Sequence, residues 1–205
     1  MNEVGRELRQ QFGDIDIYLF DQILRGRFDT RRRVLDAGCG DGRNLIYFLR
    51  NGFCCYGVDN ERDAIRRMRA VASRCAPHAP TDHFVVADVD HLPFEEGTMD
   101  AVISSAVLHF ALTQDHFTRM VHEMWRVLAP RGLFFARLAS NIGLEDRIGR
   151  AGRVVTLPDG SERFVVDEAM LLRCTEQLGG QLIDPIKTTN VQQKRCMTTW
   201  CLAKG

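Results

Sequence analysis

The stretch Val34-Leu-Asp-Ala-Gly-Cys-Gly-Asp-Gly-Arg-Asn44 constrains this chain more than any other, because it joins a buried strand to a helix through a loop that a close ligand explains best. Val34 and Leu35 follow three arginines and read as the end of a short apolar strand. Asn44 to Arg50 carries apolar residues at helical spacing, namely Leu45, Ile46, Phe48 and Leu49. Gly38, Gly40 and Gly42 stand between the two. Glycine permits positive φ and lets a ligand approach the main chain, and the helix start beyond supplies N–H groups. A dinucleotide-binding fold would place Gly-x-Gly-x-x-Gly here, but Arg43 occupies the third glycine position and Asp36 lies two residues before the first. A carboxylate beside the loop repels a phosphate and suits a cationic group.

At these residues the chain resembles the class I S-adenosylmethionine-dependent methyltransferases, in their small-molecule branch with a type 11/12-like domain. The first motif of that family is an acid followed by Gly-x-Gly at the end of the first strand. Further matches follow in the family's order. Phe53 to Val58 reads as a second strand ending in Asp59, where the family places the acid that accepts both ribose hydroxyls. Phe84-Val-Val-Ala-Asp88 reads as a third strand, and Asp88 matches the acid that takes the adenine amino group, with Asp90 as the alternative two residues on. Leu92 to His109 resembles the fourth-strand segment, and Val127-Leu-Ala-Pro-Arg-Gly-Leu-Phe-Phe135 the turn into the fifth. The resemblance covers Arg33 to Ala139. It implies that Asp36, Gly38, Cys39, Gly40, Asp59, Asn60, Asp88, Val89, Ser104 and Ser105 bind S-adenosyl-L-methionine, with Asp36 at the methionine end and Cys39 offering its backbone N–H. Tyr18 either covers the cofactor or is a core aromatic.

Length and composition suit one domain over 1–205. The chain has 205 residues, enough for a sizeable core, and a hydrophobic share of 45%. A net charge of +0 with no broad basic stripe speaks against a nucleic-acid partner. The seven cysteines are scattered without a Cys-x-x-Cys pair, as reduced cytoplasmic thiols are. Met1 leads into polar residues, and no apolar run approaches a membrane span, so neither a signal segment nor a membrane partner is expected. Six separated histidines give no metal-ligand spacing.

Residues 1–32 read as a helical cover with helices at Leu8 to Phe12 and Ile17 to Leu24, capped by Asp14 and Asp16. Residues 33–139 alternate strands with helices at Glu61 to Cys75 and Thr113 to Leu128. This order implies right-handed crossovers and a mainly parallel sheet with ligands beyond its carboxyl edge. Residues 140–166, with the turn Leu157-Pro-Asp-Gly-Ser161 between two short strands, form the expected substrate-side flap. Residues 167–205 give a helix from Asp167 to Leu178, ended by Gly179-Gly180, and closing strands at Leu182 to Thr188 and Cys196 to Ala203. The family resemblance completes this as a Rossmann-like, doubly wound, seven-stranded α/β sheet whose final strand is antiparallel.

The implied cofactor carries its methyl group already activated by a positive sulfur, so the enzyme's minimum task is to align an acceptor and exclude water. A small-molecule acceptor is expected, its reacting atom left open. His109 follows the fourth strand where the acceptor pocket begins; it is either a general base or a packed histidine near the cofactor. His116 and His122 read as surface residues, and Asp41 and Arg43 as loop and helix-start residues. Arg25 or Arg27 could bind an acidic acceptor, and Arg153, Arg163 and Arg195 read either as solvated or as an anion-binding face. The alternatives to methyl transfer are a non-catalytic module that binds or senses the same cofactor and a nicotinamide oxidoreductase. Arg43 and Asp36 oppose the second.

Overall fold

The computed structural model describes residues 3–205. Two helices, α1 (Glu3–Phe12) and α2 (Ile17–Leu24), precede the sheet. Asp16 caps α2, its carboxylate accepting the Tyr18 N–H at 2.9 Å. Asp14 has no capping role; its carboxylate pairs with Arg9 at 3.4 Å. Strand β1 (Arg33–Ala37), helix α3 (Ile46–Arg50), strand β2 (Cys54–Asp59), helix α4 (Arg62–Cys75) and strand β3 (Phe84–Val86) form one half of a doubly wound unit. Strand β4 (Met99–Ser105), a short turn of helix at Leu108–Phe110, helix α5 (Gln114–Val127) and strand β5 (Leu128–Ser140) continue it.

After β5 come helix α6 (Glu145–Ile148) and a hairpin of β6 (Arg153–Thr156) and β7 (Glu162–Val165). Helix α7 (Glu168–Gln177), capped by Asp167, is followed by β8 (Gly180–Leu182), β9 (Lys187–Val191) and β10 (Arg195–Lys204). The main sheet runs β3-β2-β1-β4-β5-β10-β8, with β9 also on β10. Its pairs are parallel from β3 to β5, and β10 is antiparallel to β5, as the resemblance implies.

The sheet is buried on both faces, so its central strands are apolar at successive positions rather than at alternate ones. Phe134, Val102 and Trp200 pack with α5 and α7 on one face. Phe135, Ile103 and Cys201 pack with α2, α3 and α4 on the other. A third, smaller core beneath the hairpin joins Leu157 and Val165 to Ala139 and Cys196.

Several boundaries differ from the sequence reading, the first being the start of α1, at Glu3 rather than Leu8. The strand expected over Leu182 to Thr188 is broken into β8 and β9, which pair with successive lengths of β10, so the sheet has eight strands. Pro185 has no N–H for the ladder, and the neighbouring Asp184 carboxylate is held by Gln22 Nε2 at 2.9 Å. Strand β3 stops at Val86, which leaves Asp88 on the loop beyond it. Helix α3 starts at Ile46, because Asn44 turns inward and its side-chain oxygen accepts the Asp16 N–H at 3.1 Å. No helix among the described residues is long and apolar enough to cross a membrane.

Candidate functional site

The order β2-β1-β4 makes a topological switch point between β1 and β4, and a cleft of about 720 Å³ opens there beyond the carboxyl ends of the strands. This volume lies within the usual range for small-molecule sites. Its floor is the glycine loop. Gly38 has φ +83°, and a Cβ on it would stand 2.4 Å from the Val107 side chain, so the loop packs directly on the turn after β4. Gly40 has φ +51°, and a Cβ there would meet nothing within 4 Å, because this glycine borders the cleft itself.

The N–H groups at the start of the loop are already engaged. Gly38 and Cys39 N–H groups both donate to the Val58 carbonyl at 2.8 Å, and the Gly40 N–H donates to Asp59 Oδ2 at 2.9 Å. Cys39 therefore does not offer its N–H to a ligand, and burial raises its thiol pKa far above the ordinary range. A loop with these donors spent on β2 is no diphosphate cradle. The lining agrees: Asp41, Asp59, Glu61, Asp88 and Asp90 supply five carboxylates against the guanidiniums of Arg43 and Arg67. Such a surface favours a ligand of net positive charge.

Asp59, Asn60, Asp88, Val89 and Ser105 all line the cleft, together with Gly38, Cys39 and Gly40. Asp59 Oδ1 also accepts the Glu61 N–H at 3.0 Å, so its carboxylate is fixed at the mouth of β2. Asp88 and Asp90 differ in availability. Asp90 faces Arg119 at 3.4 Å and His116 Nε2 at 3.6 Å, whereas the Asp88 carboxylate has no partner among the described residues.

Asp36 lies fully buried beneath the loop and outside the lining, and neither of its oxygens meets a hydrogen-bond partner. Desolvation raises its pKa to about 7, against the pull of the Arg43 guanidinium. A carboxyl whose folded pKa is raised contributes stability that is complete below its unfolded pKa and is lost as pH climbs through the folded one. Asp36→Asn is therefore expected to flatten the pH dependence of unfolding between roughly pH 4 and 7 and to gain on wild type above it, by on the order of a few kcal/mol. Urea titrations at pH 5 and 8 check this; parallel profiles in the two proteins would rule it out.

Five expected residues stand elsewhere. Ser104 is buried with its hydroxyl unpartnered and does not reach the cleft. Tyr18 is turned away from it: its hydroxyl bonds to Thr189 Oγ1 and its ring lies under Arg137, 4.9 Å from the guanidinium carbon. Arg25 and Arg27 both face Asp184, at 3.5 and 3.6 Å, so neither is presented to an acceptor. His109 is buried, and its pKa falls to about 4, first through desolvation and then through Arg163, Arg195 and Arg137. Its neighbour Phe110 is the residue that lines the cleft.

The structure adds residues that the sequence reading assigned otherwise or passed over. Arg43 and His116 line the cleft. Arg43 donates to Ser105 Oγ at 3.1 Å, Ser105 Oγ donates to Asp16 Oδ2 at 2.9 Å, and Arg137 donates to the same oxygen at 2.9 Å. This chain of contacts fastens the start of α2 to the ends of β4 and β5. Only the capping position of Asp16 signalled it.

An open α/β sheet with an acidic small-ligand cleft at its switch point and a glycine loop that shuns diphosphate defines the class I methyltransferase architecture. Residues 34–132 match the sequence model of a methyltransferase domain, and over that stretch the chain is similar to the class I S-adenosylmethionine-dependent methyltransferases. It is 31% identical over 150 residues to malonyl-[acyl-carrier protein] O-methyltransferase from Enterobacter lignolyticus, a match that covers 72% of this chain and 55% of that one. It is 34% identical over 100 residues to tRNA (carboxymethyluridine(34)-5-O)-methyltransferase from Arabidopsis thaliana, covering 48% of this chain and 22% of that one. The fold resembles Burkholderia thailandensis 1,6-didemethyltoxoflavin-N1-methyltransferase, crystallised with S-adenosylhomocysteine, at a TM-score of 0.71 and 19% identity over 98% of this chain and 82% of that one. The matches span about half the length of the first curated relatives.

Proposed function

We propose that this protein binds S-adenosylmethionine in the switch-point cleft and transfers its methyl group to a small-molecule acceptor. The observation that carries this reading is a glycine loop whose Gly38, Cys39 and Gly40 N–H groups are spent within the fold, beside five carboxylates, which fits a ligand bearing sulfonium and ammonium charges better than any dinucleotide. When bound, S-adenosylmethionine supplies a methyl group made electrophilic by its positive sulfur. Asp59 would hold the ribose hydroxyls, Asp88 the adenine amino group, and Asp36 would place negative charge beneath the methionine end. Val89, Phe110 and Met120 give the cleft apolar surface that excludes water.

A His109 ring held neutral down to about pH 4 is a weak base, so positioning and exclusion of water are this chain's main contributions to rate. The non-catalytic module is not favoured, since the curated relatives described above carry methyltransferase names. Those relatives' names span malonyl and tRNA acceptors; the acidic rim of this cleft opposes a phosphate backbone and supports a small molecule. Seven free thiols support a reducing, cytoplasmic setting.

Isothermal titration with S-adenosylmethionine, S-adenosylhomocysteine and NADH tests the reading. Heat from the first two and none from NADH is the expected result. Silence toward both adenosyl ligands, or binding of NADH, would return the loop to another nucleotide.

A further inference from the structure

The cleft is acidic around its floor, and the short helical turn that carries its lining residue Phe110 packs against the β6–β7 hairpin. Strand β7 packs against the short helical turn at Leu108–Phe110. Its Phe164 is buried and stacks on Phe117, with ring centroids 5.2 Å apart. Successive side chains of a strand point to opposite faces, so Arg163 turns the other way, and its guanidinium lies 4.9 Å over the Phe110 ring. Phe110 lines the cleft and is 57% exposed. The polar contact that Arg163 makes among the described residues is with the Glu162 carbonyl at 2.6 Å, which neutralises no charge.

Two further guanidiniums act on the same place. Arg195 reaches Asp159 only at 3.8 Å, and Arg137 is paired with Asp16 while its Nε is buried without a partner. Burial first, and then the charges of Arg163, Arg195 and Arg137, disfavour the charged form of the His109 ring. That ring lies 4.7 Å from Phe110, and its Nδ1 is also buried without a partner. Three cations against the carboxylates of Asp159 and Asp16 leave one positive charge uncompensated beside an exposed aromatic face.

We infer that Arg163 and Arg195, backed by Arg137 and His109, form a subsite for the carboxylate of the methyl acceptor, whose apolar body lies on Phe110. The inference rests on the methyl-transfer reading and deepens it by naming the acceptor class, an organic acid. A single excess charge suits a carboxylate monoanion better than a phosphate dianion, and the planar guanidinium fork matches two carboxylate oxygens.

The test titrates the protein, saturated with S-adenosylhomocysteine, with 3-phenylpropionate and with its neutral isostere 3-phenylpropionamide. The acid is expected to bind at least about tenfold more tightly, as the loss of a charge-assisted pair on going to the amide would give. It should also raise the midpoint of His109 followed by nitrogen-15 resonance. Arg163→Gln should abolish the preference and leave S-adenosylhomocysteine affinity within about twofold; Arg195→Gln provides the same reading if the first variant fails to fold. Equal affinity for acid and amide, or a preference that survives in both variants, overturns the subsite. Failure of S-adenosylhomocysteine itself to bind would instead overturn the methyl-transfer reading.

Discussion

Asp59→Ala is expected to weaken S-adenosylhomocysteine binding roughly ten- to a hundredfold, the loss of about 1.5 to 3 kcal/mol that follows removal of hydrogen bonds to a charged group. Two features of the site argue for so large an effect. The carboxylate lines the cleft at the end of β2, where a ligand's hydroxyls would meet an acceptor already oriented by the Gly40 and Glu61 N–H groups at 2.9 and 3.0 Å. The substitution also frees the Gly40 N–H and loosens the loop that forms the floor. Titration calorimetry on wild type, Asp59→Ala and Asp59→Asn reads the first effect, since asparagine keeps the size but replaces one acceptor oxygen with a donor. Thermal melting separates the second. A fall in melting temperature with unchanged affinity would reduce Asp59 to a support of the loop and remove it from ligand binding.

Asp59, Gly40 and Asp88 could be read from the sequence because each follows a strand whose own apolar run is visible, and the end of a buried strand is where an α/β sheet presents side chains to a ligand. The same logic located Asp167 and the Leu157–Ser161 turn, where capping and turn chemistry act within a few residues. It failed where the deciding contact is remote. Nothing near Leu182 says that Asp184 will be claimed by Gln22, and a proline at the rim of a sheet is compatible with either an intact or a broken edge.

The misplacements in the site share that cause. Tyr18 carries a helix position suited to a cover, but its ring is taken by Arg137 and its hydroxyl by Thr189, which strand pairing beyond the reach of local pattern brings alongside. His116 reads as a surface residue from its place along its helix; it lines the cleft, with Nε2 3.6 Å from Asp90 on the loop after β3. Arg137 gave no signal at all. Its importance comes from a carboxylate on another element, and pairing of charges across a fold is not written in spacing.

Arg137→Met should accordingly be among the most destabilising single changes outside the apolar core. The Asp16 side chain is 0% exposed and Arg137 is its ion-pair partner at 2.9 Å, so the variant strands a carboxylate away from water. Breaking one side of a buried pair costs about 3 to 5 kcal/mol. The lower end is expected here, because the Ser105 hydroxyl and the Tyr18 N–H continue to donate to Asp16. Urea unfolding monitored by circular dichroism measures the change. Asp16→Asn should cost less, since it leaves behind a guanidinium that is 21% exposed and can be hydrated. The double variant should then recover part of the Arg137→Met loss, the coupling that a direct contact produces. Strict additivity, or a loss under about 1 kcal/mol in Arg137→Met, would mean that α2 is held to the sheet by its apolar contacts through Leu19 and that the buried pair adds little beyond them.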